Sequence, residues 1–280
     1  MEVQLPVSKL SKECYKERKA NAGQTLTALG SYWKGRKPLI LVRAVVLGLL
    51  LPTSDNAEAD RDIFLKLMLM DDAGLLKRKK RFGKGEVARV MELLPERCWS
   101  RAIALTDKGY NWIRGAAERV AIEAEAFSRM GRDEKLRHCL RPEELPESVL
   151  DDVWDEVNAH LGTGARSIAE LIGELGERRF GYRPRVGDPF CGGGSIPFEA
   201  ARIGCDVYAS DLNPIACLLT WGALNIVGGT AETRDKISAA QKAIVAAVDA
   251  EIVRLGFEHD GGDANLRLPI DAPTSWPHGY

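Results

Sequence analysis

Apolar residues recur every three or four positions through most of the first 180 residues, the spacing that lays them along one face of a helix. This periodicity predicts helices over Ser8–Ala20, Pro38–Leu51, Ala57–Met70, Glu86–Leu94, Thr106–Met130, Pro146–Leu161 and Arg166–Gly176. Thr106-Asp107 and Ser148 are placed as caps. Few strands are convincing before Arg185. There the pattern changes to short apolar runs around a glycine cluster, which predicts strand, turn, helix and second strand over Arg185–Asn213. Ile215–Ile226 and Ala231–Gly256 then read as helices, and Asp260–Tyr280 as loop. The chain is thus expected to be α/β. A mainly helical N-terminal domain covers residues 1–162, a sheet domain begins at 163 and runs to 280, and Gly162-Thr-Gly164 is a turn or hinge between them.

The chemistry is concentrated in Arg185-Val-Gly-Asp-Pro-Phe-Cys-Gly-Gly-Gly-Ser-Ile-Pro-Phe-Glu-Ala200 and Asp206-Val-Tyr-Ala-Ser-Asp-Leu-Asn-Pro214. A strand, glycine turn, helix and second strand ending in an acid build a nucleotide-type pocket at the carboxyl edge of a parallel sheet. Gly192, Gly193 and Gly194 let the backbone approach a ligand with no Cβ between them. Asp211 stands where a ribose presents its hydroxyls, and a carboxylate accepts hydrogen bonds from both. The turn lacks the third glycine of a dinucleotide fingerprint and the Gly-Lys-Ser/Thr of a triphosphate loop. Asp188 also repels phosphate. A ligand with a sulfonium and an ammonium group but no phosphate suits these residues, which points to S-adenosylmethionine.

Asp188-Pro-Phe-Cys-Gly-Gly-Gly-Ser-Ile-Pro-Phe-Glu-Ala200 resembles the cofactor motif of amino-methylating DNA methyltransferases. With Ala209-Ser-Asp-Leu-Asn-Pro214 it is most similar to the large prokaryotic adenine-specific DNA methylases, which carry an uncharacterised N-terminal domain and often accompany anti-phage systems. Leu5-Pro6 and Tyr32-Trp-Lys-Gly-Arg-Lys-Pro38 fit that domain, although the family more often has Trp-Ala-Arg-Arg-Pro there. The resemblance implies a Rossmann-like S-adenosylmethionine-dependent methyltransferase sheet. It implies that Asp188 holds the methionine ammonium, Pro189 and Phe190 border the cofactor, and the amides around Gly192 and Gly194 line it. Asp211 then takes the ribose and Leu212 covers the adenine. It also offers a role beside the methionine end for Lys37 and Pro38. That element usually lies just before the glycine motif, whereas Pro38 precedes Asp188 by 150 residues, so an ordinary core helix with a basic start stands beside the cofactor reading.

Enzymes that methylate an exocyclic amine use an Asp/Asn/Ser-Pro-Pro-aromatic loop on a flipped base. No Pro-Pro dipeptide occurs in the chain, and neither Asn213-Pro-Ile215 nor Ser275-Trp-Pro-His278 replaces it. Only two strands of a doubly wound sheet are readable, against the usual five or six or about that number. No catalytic residue is therefore assigned. The chain reads as the cofactor-binding N-terminal portion of a longer DNA methylase, acting on adenine in phage defence and inactive alone. Its partners would be DNA and the remaining methylase part or other defence proteins. Two alternatives stand: a non-catalytic scaffold or protein-binding module of a defence complex, and a relative of RNA methyltransferases.

Composition changes this picture little. A chain of 280 residues with 45% hydrophobic and 28% charged residues has the balance of a globular protein. Six cysteines without CxxC spacing read as reduced thiols in a cytoplasm, and Cys191 as packing rather than nucleophile. The His138-Cys139 pair alone makes a poor metal signal, so no metal is expected. Leu39–Leu51 is too short to span a bilayer, and no membrane is expected as a partner. The net charge of −1 gives the whole chain no nucleic-acid footprint. Locally, Lys77-Arg78-Lys79-Lys80-Arg81 is either a phosphate-contacting run or a solvated loop. Trp33, flanked by Tyr32 and Lys34, is a candidate for stacking on bases.

Overall fold

Leu39–Leu50 is apolar nearly throughout, and it becomes a helix that buries eight of its twelve residues. The computed structural model describes residues 5–19, 37–113 and 115–255. In chain order the helices are α1 (Val7–Lys19), α2 (Leu39–Leu50), α3 (Ala57–Leu67), α4 (Asp72–Lys77), α5 (Val87–Leu93), α6 (Glu96–Trp99), α7 (Arg119–Arg129), α8 (Arg132–Arg137), α9 (Trp154–Leu161), α10 (Ile168–Phe180), α11 (Ser195–Arg202), α12 (Pro214–Gly222) and α13 (Ala231–Arg254). The strands are β1 (Ile103–Thr106), β2 (Gly109–Trp112), β3 (Arg185–Asp188) and β4 (Asp206–Ala209). The protein is mostly helical, with four short strands in two small sheets among the described residues. The described chain forms two units, one ending at Leu224 and the other beginning at Asn225.

In the first unit α2 packs against α1, α10 and α11, and α3 packs on α9. Leu10, Leu47, Phe64, Trp154, Leu171 and Ile203 belong to the core these helices share, which draws on residues from both sides of Gly162. Gly162 itself ends α9 in the left-handed conformation, with φ of 64°, where glycine carries no Cβ penalty. A second cluster, including Leu75, Phe82, Val90, Ile103 and Phe127, lies under α4, α5, β1 and α7. Burying a side chain of this size stabilises by roughly 1.5–3 kcal/mol, so both clusters contribute substantially to cohesion.

The predicted helix over Thr106–Met130 is corrected. Its first part is an antiparallel hairpin, with Ile103 opposite Trp112 and Thr106 opposite Gly109. Thr106 does not cap a helix. Its hydroxyl donates to the Gly109 carbonyl at 2.6 Å, and Gly109 takes φ of 89°, a turn conformation that favours glycine. The helix begins only at Arg119. Pro146–Leu161 also divides, into a 3₁₀ turn at Glu147–Leu150 and α9, and Ser148 caps neither. Side chains that do cap helices are Asn56, Asp71, Ser167, Asn213 and Thr230. Each accepts from a backbone N–H that the helix leaves without a partner.

Strands β3 and β4 run parallel, with Arg185 paired to Asp206 and Asp188 to Ala209. Helix α11 connects them and packs on both. In the second unit α13 is capped by Thr230, whose hydroxyl accepts the Thr233 N–H at 3.2 Å, and none of the helix's residues is buried. No single helix among the described residues is long and apolar enough to cross a membrane. The loop expected over Asp260–Tyr280 lies outside the described residues.

Candidate functional site

The β3-α11-β4 unit brings the two halves of the glycine-acid motif together. At the end of β3 the Asp188 carbonyl accepts the Ser210 N–H at 3.0 Å, and Cys191 N–H donates to Ser210 at 3.0 Å. These bonds extend the strand pairing into the turn. The Asp188 carboxylate accepts from Phe190 N–H at 3.2 Å and is almost buried. Gly192 and Gly194 take φ of 51° and 75°, so the turn uses glycine where an L side chain is strained. A Cβ on Gly194 would also lie 2.7 Å from the Thr220 hydroxyl. Helix α12 thus presses on the turn from behind, through a buried Thr220 that donates to Cys191 Sγ at 3.3 Å.

Asp211 locks the turn to the second strand. One carboxylate oxygen accepts Gly192 N–H at 2.9 Å, and the other accepts Asn213 N–H at 2.9 Å. The amides of Asn213 and Gly192 hold its carboxyl below the ordinary carboxylate range, because a hydrogen bond to the charged form favours that form. Each oxygen keeps a second lone pair for a ligand hydroxyl. The sign of the linkage is that of a depressed carboxylate: the clasp is complete above the unfolded value and is lost as pH falls through the folded one. The Gly192 amide, followed by NMR, should accordingly titrate below the usual aspartate range. A midpoint at the ordinary value would remove the clasp from this account.

Around the clasp the apolar residues face outward. Phe190 is 79% exposed, Leu212 96% and Tyr208 70%, so none of the three is spent on the core. Pro189 is exposed as well, while Gly192 and Gly194 are buried beneath the turn. Cys191 is buried with its thiol pushed up, first by burial and then also by the charges of Asp211 and Asp188. That environment suits packing and disfavours the nucleophilic thiolate.

The fold closes the long sequence gap to α2. Leu39, at its start, packs with Phe198 of α11 and with Ala223. Pro38 is buried and Lys37 exposed just ahead of it. The first helical amides of α2 are already engaged: the Glu17 carboxylate accepts from Leu39 N–H at 2.9 Å and Ile40 N–H at 3.3 Å. What α2 offers a ligand is therefore the Lys37 ammonium rather than its helix end.

Sequence reasoning missed the charges that hold α2 to α11. Glu199 is fully buried and accepts from Arg43 Nε at 2.9 Å and from Arg202 Nε at 2.7 Å. A single Arg43 inside the apolar run Leu39–Leu50 was the available signal, since a buried charge requires a partner.

The basic run is corrected at Arg78, which is wholly buried. Its guanidinium forms a bidentate pair with Glu13 at 2.6 and 2.7 Å and donates to the carbonyls of Leu140 and Leu69. Lys77 pairs with Asp152, and Lys79 with Glu123 at 2.7 Å. Arg78 cannot reach a phosphate, because its hydrogen-bonding fork is used internally. Lys80 and Arg81 remain exposed. Trp33 lies outside the described residues. Among the described residues no group of three His, Cys, Asp or Glu side chains is arranged to hold a metal.

Residues 4–67 match a family described only as "Protein of unknown function (DUF1156)". The match covers α1, α2 and α3 and ends well before the glycine turn. No curated protein matches the chain. No solved structure matches it either.

Proposed function

We propose that β3, the glycine turn, α11 and β4 form the first part of a Rossmann-like S-adenosylmethionine site in an enzyme that methylates an exocyclic amino group in DNA, adenine being the favoured base. The observation that carries this reading is the clasp of Asp211 on the Gly192 amide at the carboxyl ends of two parallel strands. It holds a carboxylate where a ribose would meet it, beside a turn that admits close backbone approach. Asp188 supplies the negative charge for the methionine ammonium, and Phe190 and Leu212 supply apolar surface for the adenosine. Lys37 and Pro38 border the methionine end. With no side chain assigned to the flipped base, methyl transfer requires a catalytic loop from further polypeptide, and phage defence is the setting the resemblance suggests.

The test is a calorimetric titration of the full chain with S-adenosylmethionine, beside Asp211→Ala. Wild-type binding weakened at least about tenfold in the variant, equivalent to about 1.4 kcal/mol, is the expected outcome. Equal affinities in the two proteins would remove the ribose role from Asp211. Absence of binding by the folded wild-type chain would favour a second reading, a protein-binding module. That alternative is supported by the outward-facing Phe190, Tyr208, Leu212, Leu218 and Trp221, each more than half exposed. Strand pairs of a parallel sheet are ordinarily covered on both faces, so this surface suits a covering polypeptide under either reading.

A further inference from the structure

At the opposite end of β3 from the glycine turn, residues 178–185 read Arg-Arg-Phe-Gly-Tyr-Arg-Pro-Arg, with four arginines, two aromatics and no acid. Gly181 caps α10 in the left-handed conformation, with φ of 74°. This reversal brings Phe180 and Tyr182 into a tilted, offset pair, centroids 6.0 Å apart and planes 27° from parallel. Each ring also has a guanidinium beside it: Arg179 lies 5.5 Å from the Phe180 centroid and Arg185 4.9 Å from that of Tyr182. Both rings remain nearly half exposed, at 45% and 48%, so the stack is a surface feature rather than core packing.

The four arginines divide by role. Arg178 and Arg183 bond the carbonyls of Leu161, Gly162 and Gly204, which secures the loop. Arg179 bonds the carbonyl of Leu49, which carries no charge, and makes no ion pair among the described residues. Arg185 is exposed and makes no ion pair among the described residues, although Asp206 is its register partner on β4.

We infer that this Arg179-Phe180-Tyr182-Arg185 stack is a docking platform for single-stranded nucleic acid. Every base offers a π-face to an aromatic ring, and arginine adds both stacking and phosphate attraction. The choice of a nucleic acid as polyanion rests on the methyltransferase reading above, whereas the location rests on the stack. The platform lies away from the cofactor end of the sheet, so it anchors a strand and takes no part in chemistry.

The experiment is fluorescence anisotropy of a labelled oligothymidine with the full chain, without S-adenosylmethionine, between about 50 and 200 mM salt. Tyr182→Ala is expected to weaken binding by at least about fivefold, the lower end of one lost base stack, with the salt dependence unchanged. Tyr182→Phe should retain binding. Arg185→Ala should reduce the slope of log affinity against log salt by about 0.7, one phosphate contact on a single strand. No binding by the wild-type chain, an unchanged affinity in the Tyr182→Ala/Arg185→Ala double variant, or tighter binding of a duplex would each overturn the inference. The two measurements are independent, since the oligonucleotide is titrated without S-adenosylmethionine. A failed cofactor titration with oligonucleotide binding intact would therefore count against the cofactor site alone.

Discussion

Arg78→Ala is expected to lower the free energy of unfolding by about 3–5 kcal/mol, the range for removing one member of a buried ion pair. The cost arises less from the lost attraction than from what remains. Glu13, 2% exposed, would keep its charge with the bidentate partner gone, and the carbonyls of Leu69 and Leu140 would lose a donor. Against a usual total of about 5–15 kcal/mol, such a loss leaves a marginal fold. The pair also joins α1 to the segment following α4. Lys16 adds a second tie by donating to the carbonyls of Leu136 and Cys139. Its ammonium is pushed below its ordinary value by burial and then by the charge of Arg78. Urea denaturation followed by tryptophan fluorescence measures the effect. The double variant Glu13→Leu/Arg78→Met should recover most of the loss, since it removes both buried charges and keeps the volume. A single-variant loss below about 1 kcal/mol, the scale of an exposed pair, would show that Arg78 is solvated in solution.

Most helices were legible because their apolar spacing is local information, and α2, α3, α5 and α10 lie where that spacing puts them. The hairpin was not. Tyr110, Ile113 and Ala117 recur at helical spacing, and the deciding element is a four-residue turn in which Thr106 bonds Gly109. Turn chemistry of this sort competes directly with a helix cap, since the same threonine serves both. The glycine-acid motif was legible as a pattern, with Asp188, Gly192 and Asp211 brought together as two parallel strands require. Its exposed flank was not legible, because burial depends on what lies beside the strands.

Within the basic run, the burial of Arg78 was hidden for a different reason. Sequence presents Lys77–Arg81 as five neighbouring cations, yet Glu13 lies 65 positions from Arg78. A charge run looks solvated until its partners are known, and those partners are set by packing. The same limitation hid Glu199, whose partner Arg43 is 156 residues away. Conversely, the arginine-aromatic stack after α10 is compact in sequence. What sequence could not supply is the left-handed Gly181 that brings its two rings together.

Glu199→Ala should be the second most damaging single change, costing about 3–5 kcal/mol by the same argument of an uncompensated buried charge. Here the charge left behind is Arg43, whose side chain is 7% exposed within the apolar helix α2. The triad is asymmetric, because Arg202 is 29% exposed and regains water when its partner is removed. Arg202→Ala is therefore expected to cost about 1 kcal/mol, close to the loss of a surface pair. Arg43→Ala should fall between the two, since Arg202 still holds Glu199. The predicted order, Glu199 above Arg43 above Arg202, is read from urea midpoints at constant slope. Equal losses for Arg202→Ala and Glu199→Ala would mean that water reaches the triad. The consequence extends to the site, because this triad joins α2, which carries Pro38 at its start, to α11, which opens from the glycine turn. A loosened triad should weaken S-adenosylmethionine binding in Glu199→Ala well beyond any change in Arg202→Ala. Equal affinities in those two variants would separate α2 from the cofactor site altogether.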